Sequence, residues 1–136
     1  MREAEQCDGE AVIALWRATD LTRPWNDPQA DFRRALDWPG SSILVAEDDG
    51  IAVGTAMVGF DGHRGWIYYL AVAPDTQGGG TGRALLARCE EWLRERGCPK
   101  VELMVRHGNS AAALYEHLGW DEQDVQVLGR WLEGPA

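Results

Sequence analysis

The chain has 136 residues, room for one domain that can bury a core of its own. With 45% apolar and 26% charged residues its composition is that of a globular domain, and no run approaches the roughly 18 apolar residues of a membrane helix. A formal net charge of −9 argues against a nucleic-acid partner, which needs a Lys/Arg-rich face to displace counterions from phosphate. That charge suits a cationic substrate, but solubility alone also explains it. The three cysteines, Cys7, Cys89 and Cys98, are odd in number and lack C-x-x-C or zinc spacing. Reduced thiols in a cytoplasmic protein are expected, and no metal site, since His107 and His117 form no ligand spacing either. The charged first ten residues lack a signal-peptide pattern.

Residues 2–7 hold at most the end of a first strand. Asp8 is placed to cap a helix to about Thr19, with Val12, Leu15 and Trp16 as its apolar stripe. Arg23-Pro24-Trp25-Asn26-Asp27-Pro28 is a loop of breakers. Asp27 as cap and Pro28 at the first helical position start a second helix to about Leu36, buried through Phe32, Ala35 and Leu36. Ile43 to Glu47 reads as a strand, Asp48-Asp49-Gly50 as a tight turn, and Ile51 to Phe60 as a second strand. Asp61-Gly62-His63-Arg64-Gly65 is a further turn, and Trp66 to Val72 a third strand, which completes an antiparallel meander. Alternation puts Trp66, Tyr68 and Leu70 on one face and Ile67, Tyr69 and Ala71 on the other.

Gln77 to Gly82 then leads into a long helix to about Arg96, with Leu85, Leu86, Cys89, Trp92 and Leu93 on one face. Gly97 closes it and Pro99 blocks continuation. Val101 to Val105 reads as a strand and Ala111 to Leu118 as a short helix closed by Gly119. Trp120 and Val125 to Leu132 supply one or two final strands. A strand–helix–strand unit across 66–105 requires a parallel pair, so the class is α+β: a central mixed, mostly antiparallel sheet flanked by helices.

The strongest chemical signal is Gln77-Gly78-Gly79-Gly80-Thr81-Gly82-Arg83. A glycine-rich turn entering a helix aims several free backbone N–H groups, backed by the helix dipole, at one point. Such a point binds phosphate. Glycine is needed where a Cβ would keep the anion away or where φ is positive. The alternative is a turn that binds nothing, which four glycines in six residues make an expensive choice. A P-loop would need Gly-Lys-Ser/Thr, and the chain has Gly82-Arg83-Ala84; the G-x-G-x-x-G spacing fails at Leu85.

Leu70-Ala71-Val72-Ala73-Pro74, the run Gln77 to Gly82, and Ala84-Leu85-Leu86 together resemble the coenzyme A motif of the GNAT superfamily of N-acetyltransferases. Asn109-x-x-Ala112-x-x-Tyr115-Glu116-x-Leu118-Gly119-Trp120 resembles the second motif of that superfamily, in the right order. The resemblance covers nearly the whole chain and makes it a single GNAT domain over 1–136. The segments 23–28 and 61–65 are similar to the YpeA-like bacterial branch.

The resemblance implies acetyl-CoA as co-substrate and transfer of its acetyl group to a primary amine in a ternary complex. N–H groups of Gln77, Gly78, Gly79, Gly80, Thr81 and Gly82, with Arg83, would hold the pyrophosphate. Leu70, Ala71 and Val72 would offer main chain to the pantetheine arm, in a sheet splayed between the strands 66–72 and 101–105. Asn109 would hydrogen-bond the pantetheine, with Ala112 also at the cofactor, and Tyr115 would sit by the sulfur. A tyrosine O–H, with an ordinary pKa of about 10, can give its proton to a leaving thiolate without being ionised at neutral pH. A main-chain N–H near Leu70 would polarise the thioester carbonyl. The alternative for Tyr115 is a core aromatic.

Where some members carry a glutamate base at the entry to the third strand, this chain has Trp66. Asp61, His63, Tyr68, Tyr69 and Glu102 are the other candidates near the expected cleft, and a water chain with no dedicated base is a further alternative. Glu102 is a base or a solvated strand residue, and His63 a site residue or an ordinary turn residue. The resemblance implies that the loop with Trp25 and Asn26 borders the acceptor site, with Trp25 either a substrate wall or a lid on the core. The acceptor is a small molecule or a protein amine; exposed edges leave room for a homodimer. The rival reading is a domain that binds acyl-CoA without turnover.

Overall fold

Five strands form one sheet in chain order: β1 (Arg2–Glu3), β2 (Ser41–Asp48), β3 (Ile51–Phe60), β4 (Gly65–Val72) and β5 (Val101–Leu103). The first three junctions are antiparallel and β4–β5 is parallel. A parallel neighbour needs a long crossover, and helix α3 (Thr81–Glu95) provides it. Two helices, α1 (Gly9–Ala18) and α2 (Pro28–Asp37), precede the meander, and a short helix α4 (Ala111–His117) follows it. The computed structural model describes residues 1–109 and 111–133, in two compact units, one from Met1 to Leu103 and a second from Met104 onward. Among the described residues no helix is long and apolar enough to cross a membrane.

Local chemistry sets the element ends. At the β2–β3 hairpin Asp49 and Gly50 have φ of +51° and +77°. A two-residue turn that follows the strand twist requires positive φ at both positions, and it closes the Asp48–Ile51 pair. Asp27 caps α2 by accepting the Ala30 N–H at 3.2 Å. The end of α3 is a Schellman motif: Gly97, with φ +77°, donates to the Arg94 carbonyl and Cys98 to that of Leu93. Asp8 departs from expectation. It stands at the N-cap position of α1, but its carboxylate accepts from both terminal guanidinium nitrogens of Arg2 and from the Glu5 N–H, so it ties the first strand to the helix entry instead.

The sheet is covered on both faces. On one side Val12, Ile13, Trp16, Phe32 and Ala35 pack on Ile43, Val45 and Ala71. The other face carries α3 through its buried stripe of Leu85, Leu86, Cys89, Trp92 and Leu93. A Cβ at Gly54 would lie 2.9 Å from Leu85 Cδ1, so α3 rests directly on β3 there.

Three further sequence expectations change. The fifth strand ends at Leu103, not Val105. Among the described residues no strand follows it, so Trp120 and Val125 to Leu132 form none. Val125 and Val127 alternate as a strand would, yet an isolated strand leaves its backbone ladder unpaired; Val125, Leu128 and Leu132 are exposed. The third change is a bulge in β4.

Candidate active site

The bulge lies where Thr55 pairs with Ala71 and Met57 with Tyr68, leaving Ala56 opposite both Tyr69 and Leu70. Tyr69 adopts φ +52°, a left-handed conformation rare for a bulky residue. A bulge takes a residue out of the ladder and re-aims the strand. It also overturns the alternation expected for the two tyrosines. Tyr68 pairs with Met57, which packs with the α1–α2 core, and Tyr69 stacks on Trp16 of α1 with ring centroids 3.9 Å apart. Both therefore lie on the α1–α2 side.

Tyr69 is held at several points. Its hydroxyl donates to Asp31 Oδ2 at 2.7 Å, and Asp31 also pairs with Arg34. Its carbonyl oxygen lies 3.4 Å from Thr55 Oγ1, which in turn accepts the Trp16 indole N–H at 3.1 Å. Burial, and then the hydrogen bond to Asp31, push the Tyr69 phenol well above its usual range. Trp66 and Tyr68 stack side by side at 6.4 Å. Tyr68 is raised by burial first and by the Asp61 charge second. Glu102 pairs in register with Trp66 and lies 3.7 Å from Arg64 Nε. β4 and β5 pair only through residues 65–67 and 101–103.

At the far end of β4 the glycine run forms the entry to α3. Gly78 and Gly80 have φ of +90° and +85°. No backbone N–H from Gly78 to Arg83 has a hydrogen-bond partner among the described residues. Nothing lies within 4 Å of a Cβ built on Gly78 or Gly80. Arg83 is exposed and makes no ion pair among the described residues. Thr81 turns its methyl toward the sheet, 3.0 Å from the place of a Gly54 Cβ, so its main chain rather than its side chain faces the turn. The Gln77 side chain donates to the Val72 carbonyl at 3.1 Å, engaging one of the main-chain groups expected for the pantetheine.

In the second unit Asn109 caps α4, its Oδ1 accepting the Ala111 N–H at 2.8 Å while its carbonyl accepts from Ala112. Tyr115 is half-buried against the edge of Trp120, whose N–H donates to the Tyr115 carbonyl. Burial raises the Tyr115 phenol, so it is a neutral donor at physiological pH.

The model of the acetyltransferase (GNAT) family matches residues 12–120. The chain belongs to the GNAT acetyltransferase family. Acetyltransferase YE1169 of Yersinia enterocolitica is 48% identical over 97% of this chain and 94% of its own length. Acetyltransferase ECA0875 of Pectobacterium atrosepticum is 49% identical with the same coverage. Among solved structures, the aminoglycoside antibiotic 6'-N-acetyltransferase AAC(6')-IG from Acinetobacter haemolyticus superposes with a TM-score of 0.77 over 97% of this chain and 98% of that one. At 17% identity that is a likeness of fold.

As a GNAT acetyltransferase the chain depends on acetyl-CoA, and its other candidate residues sort by what they touch. Asp61 spends Oδ1 on the N–H groups of His63 and Arg64, 2.8 Å each, and these bonds hold its carboxyl below the usual range. His63 sits exposed in that loop. Trp25 is 46% exposed between α1 and α2, and the Asn26 N–H donates to the Arg23 carbonyl. Asp31 and Thr55 were not legible as site residues. A threonine in a strand and an aspartate on a helix are ordinary, and only the fold brings them to Tyr69.

Proposed function

We propose that this GNAT acetyltransferase moves the acetyl group of acetyl-CoA to a primary amine by direct transfer in a ternary complex. The observation that carries this reading is the row of unpartnered N–H groups from Gly78 to Arg83 at the start of α3, beside the bulged β4. Six donors with the helix dipole behind them suit a pyrophosphate. The Leu70 N–H at the bulge is assigned to the thioester oxygen, and Asn109 and Ala112 to the pantetheine arm. In the transfer the amine nitrogen attacks the carbonyl carbon and the C–S bond breaks. Tyr115 gives its proton to the leaving sulfur, and the amine proton passes to Glu102 or to water. Tyr69, whose hydroxyl is committed to Asp31, serves as a wall and not as a base.

Trp25, Asn26, Tyr68 and the 61–65 loop are assigned to the acceptor. The same loop and segment 23–28 support placement in the YpeA-like branch. Three free cysteines support a cytoplasmic setting, and a homodimer through the sheet edges is testable by sedimentation. The decisive assay is thiol release from acetyl-CoA across polyamines, amino acids, aminoglycosides and lysine peptides. Release above hydrolysis with one acceptor class names the substrate. Tyr115→Phe should then lower kcat by about a hundredfold; unchanged turnover would remove Tyr115 from its acid role.

A further inference from the structure

The Tyr69 bulge, with φ +52°, has a backbone conformation that a β-branched or bulky residue adopts only when its surroundings enforce it. The enforcement here is a chain of buried and part-buried polar contacts. Trp16 and Thr55 are both fully buried. A buried indole N–H and a buried hydroxyl each need a partner. Trp16 donates to Thr55 Oγ1, and that hydroxyl has its own proton left for the Tyr69 carbonyl. The Trp16 ring also forms the floor under the Tyr69 ring, nearly parallel at 11°. Asp31 holds the far end of the same side chain through the phenol. The ring, the hydroxyl and the carbonyl of one strained residue are thus fixed by three residues from α1, α2 and β3.

We propose that Trp16, Thr55 and Asp31 are positioning residues that clamp the Tyr69 bulge and thereby set the direction of the Leu70 main chain toward the acetyl group. This rests on the acetyltransferase reading above. None of the three touches the acetyl group. They act through Tyr69, whose peptide link to Leu70 carries the proposed oxyanion donor. An ordinary core contact would stabilise the fold as a whole. This clamp instead fixes one peptide plane, so its loss falls on the acetyl end of the ligand and spares the pyrophosphate end, which is assigned to residues 78–83.

The test is calorimetric titration of the whole protein with acetyl-CoA and, separately, with CoA. Thr55→Val removes the hydroxyl at nearly constant volume, and Thr55→Ser keeps it. The valine variant is expected to lose about five- to tenfold in acetyl-CoA affinity, the worth of one hydrogen bond, while CoA binds within about twofold of wild type. Thr55→Ser is expected to restore the wild-type ratio. Should Thr55→Val fail to fold, Trp16→Phe keeps an aromatic floor, removes the indole donor together with part of the ring, and must shift the ratio in the same direction. An unchanged ratio, or equal weakening of both ligands without serine rescue, overturns the clamp. Failure of the wild-type protein to bind CoA at all would instead overturn the acetyltransferase reading, and this inference with it.

Discussion

Gly54 offers a direct measure of how α3 is seated. A methyl group on it would stand 2.9 Å from Leu85 Cδ1, 3.0 Å from Thr81 Cγ2 and 3.3 Å from the Ala71 carbonyl oxygen. Leu85 is fully buried and cannot swing into water, and the Ala71 carbonyl belongs to the sheet. Gly54→Ala must therefore lift the first turn of α3 or force Leu85 off its rotamer. Overpacking of this kind costs about 1–3 kcal/mol. The smaller freedom of alanine in the unfolded chain offsets about 0.4–1 kcal/mol of that. The net loss is about 1–2 kcal/mol, which with a urea slope of about 1–2 kcal/mol/M lowers the unfolding midpoint by about 1 M. Tryptophan fluorescence in a urea series reads it. Because Thr81 lies within the row of free N–H groups, CoA affinity should fall together with stability. A midpoint within about 0.2 M of wild type, with CoA binding intact, would show that the helix is not pressed onto the sheet at this point.

Gly80→Ala separates backbone strain from packing: with φ +85° and open space around it, the loss is the left-handed penalty alone, about 1–2 kcal/mol, seen as a lower urea midpoint. All three tyrosines have raised folded pKa values. Stability from their neutral forms is fully present below the unfolded value of about 10 and is lost as pH rises through the folded values. Ultraviolet titration should accordingly show native phenolate only above the range of the urea-unfolded chain; coincident curves would contradict the burial of these groups. Burial, then the Glu90 charge, lifts Cys89 to about 12. An aromatic disulfide reagent near neutral pH should modify exposed Cys7 in the native protein and Cys89 only after unfolding, with peptide mapping as the check.

Much of the molecule was written locally. The Asp27–Pro28 start of α2, the Asp49–Gly50 turn and the Gly97 stop of α3 each depend on residues within a few positions, so their chemistry is readable in order along the chain. The glycine run is of the same kind: its left-handed residues and free N–H groups arise within seven positions, from 77 to 83. Asp8 misled because the decisive partner, Arg2, approached from the first strand and outbid the helix N–H groups for its carboxylate. The strand expected at 125–132 misled for the opposite reason, since alternation describes a face but pairing needs an edge that sequence does not name. The two tyrosines show the limit most plainly. Strict alternation separates Tyr68 from Tyr69, and nothing in that dipeptide announces a bulge. The tertiary structure decided it, because Trp16, Asp31 and Thr55, 53, 38 and 14 positions before Tyr69, converge on Tyr69 and hold it in a conformation its own sequence disfavours.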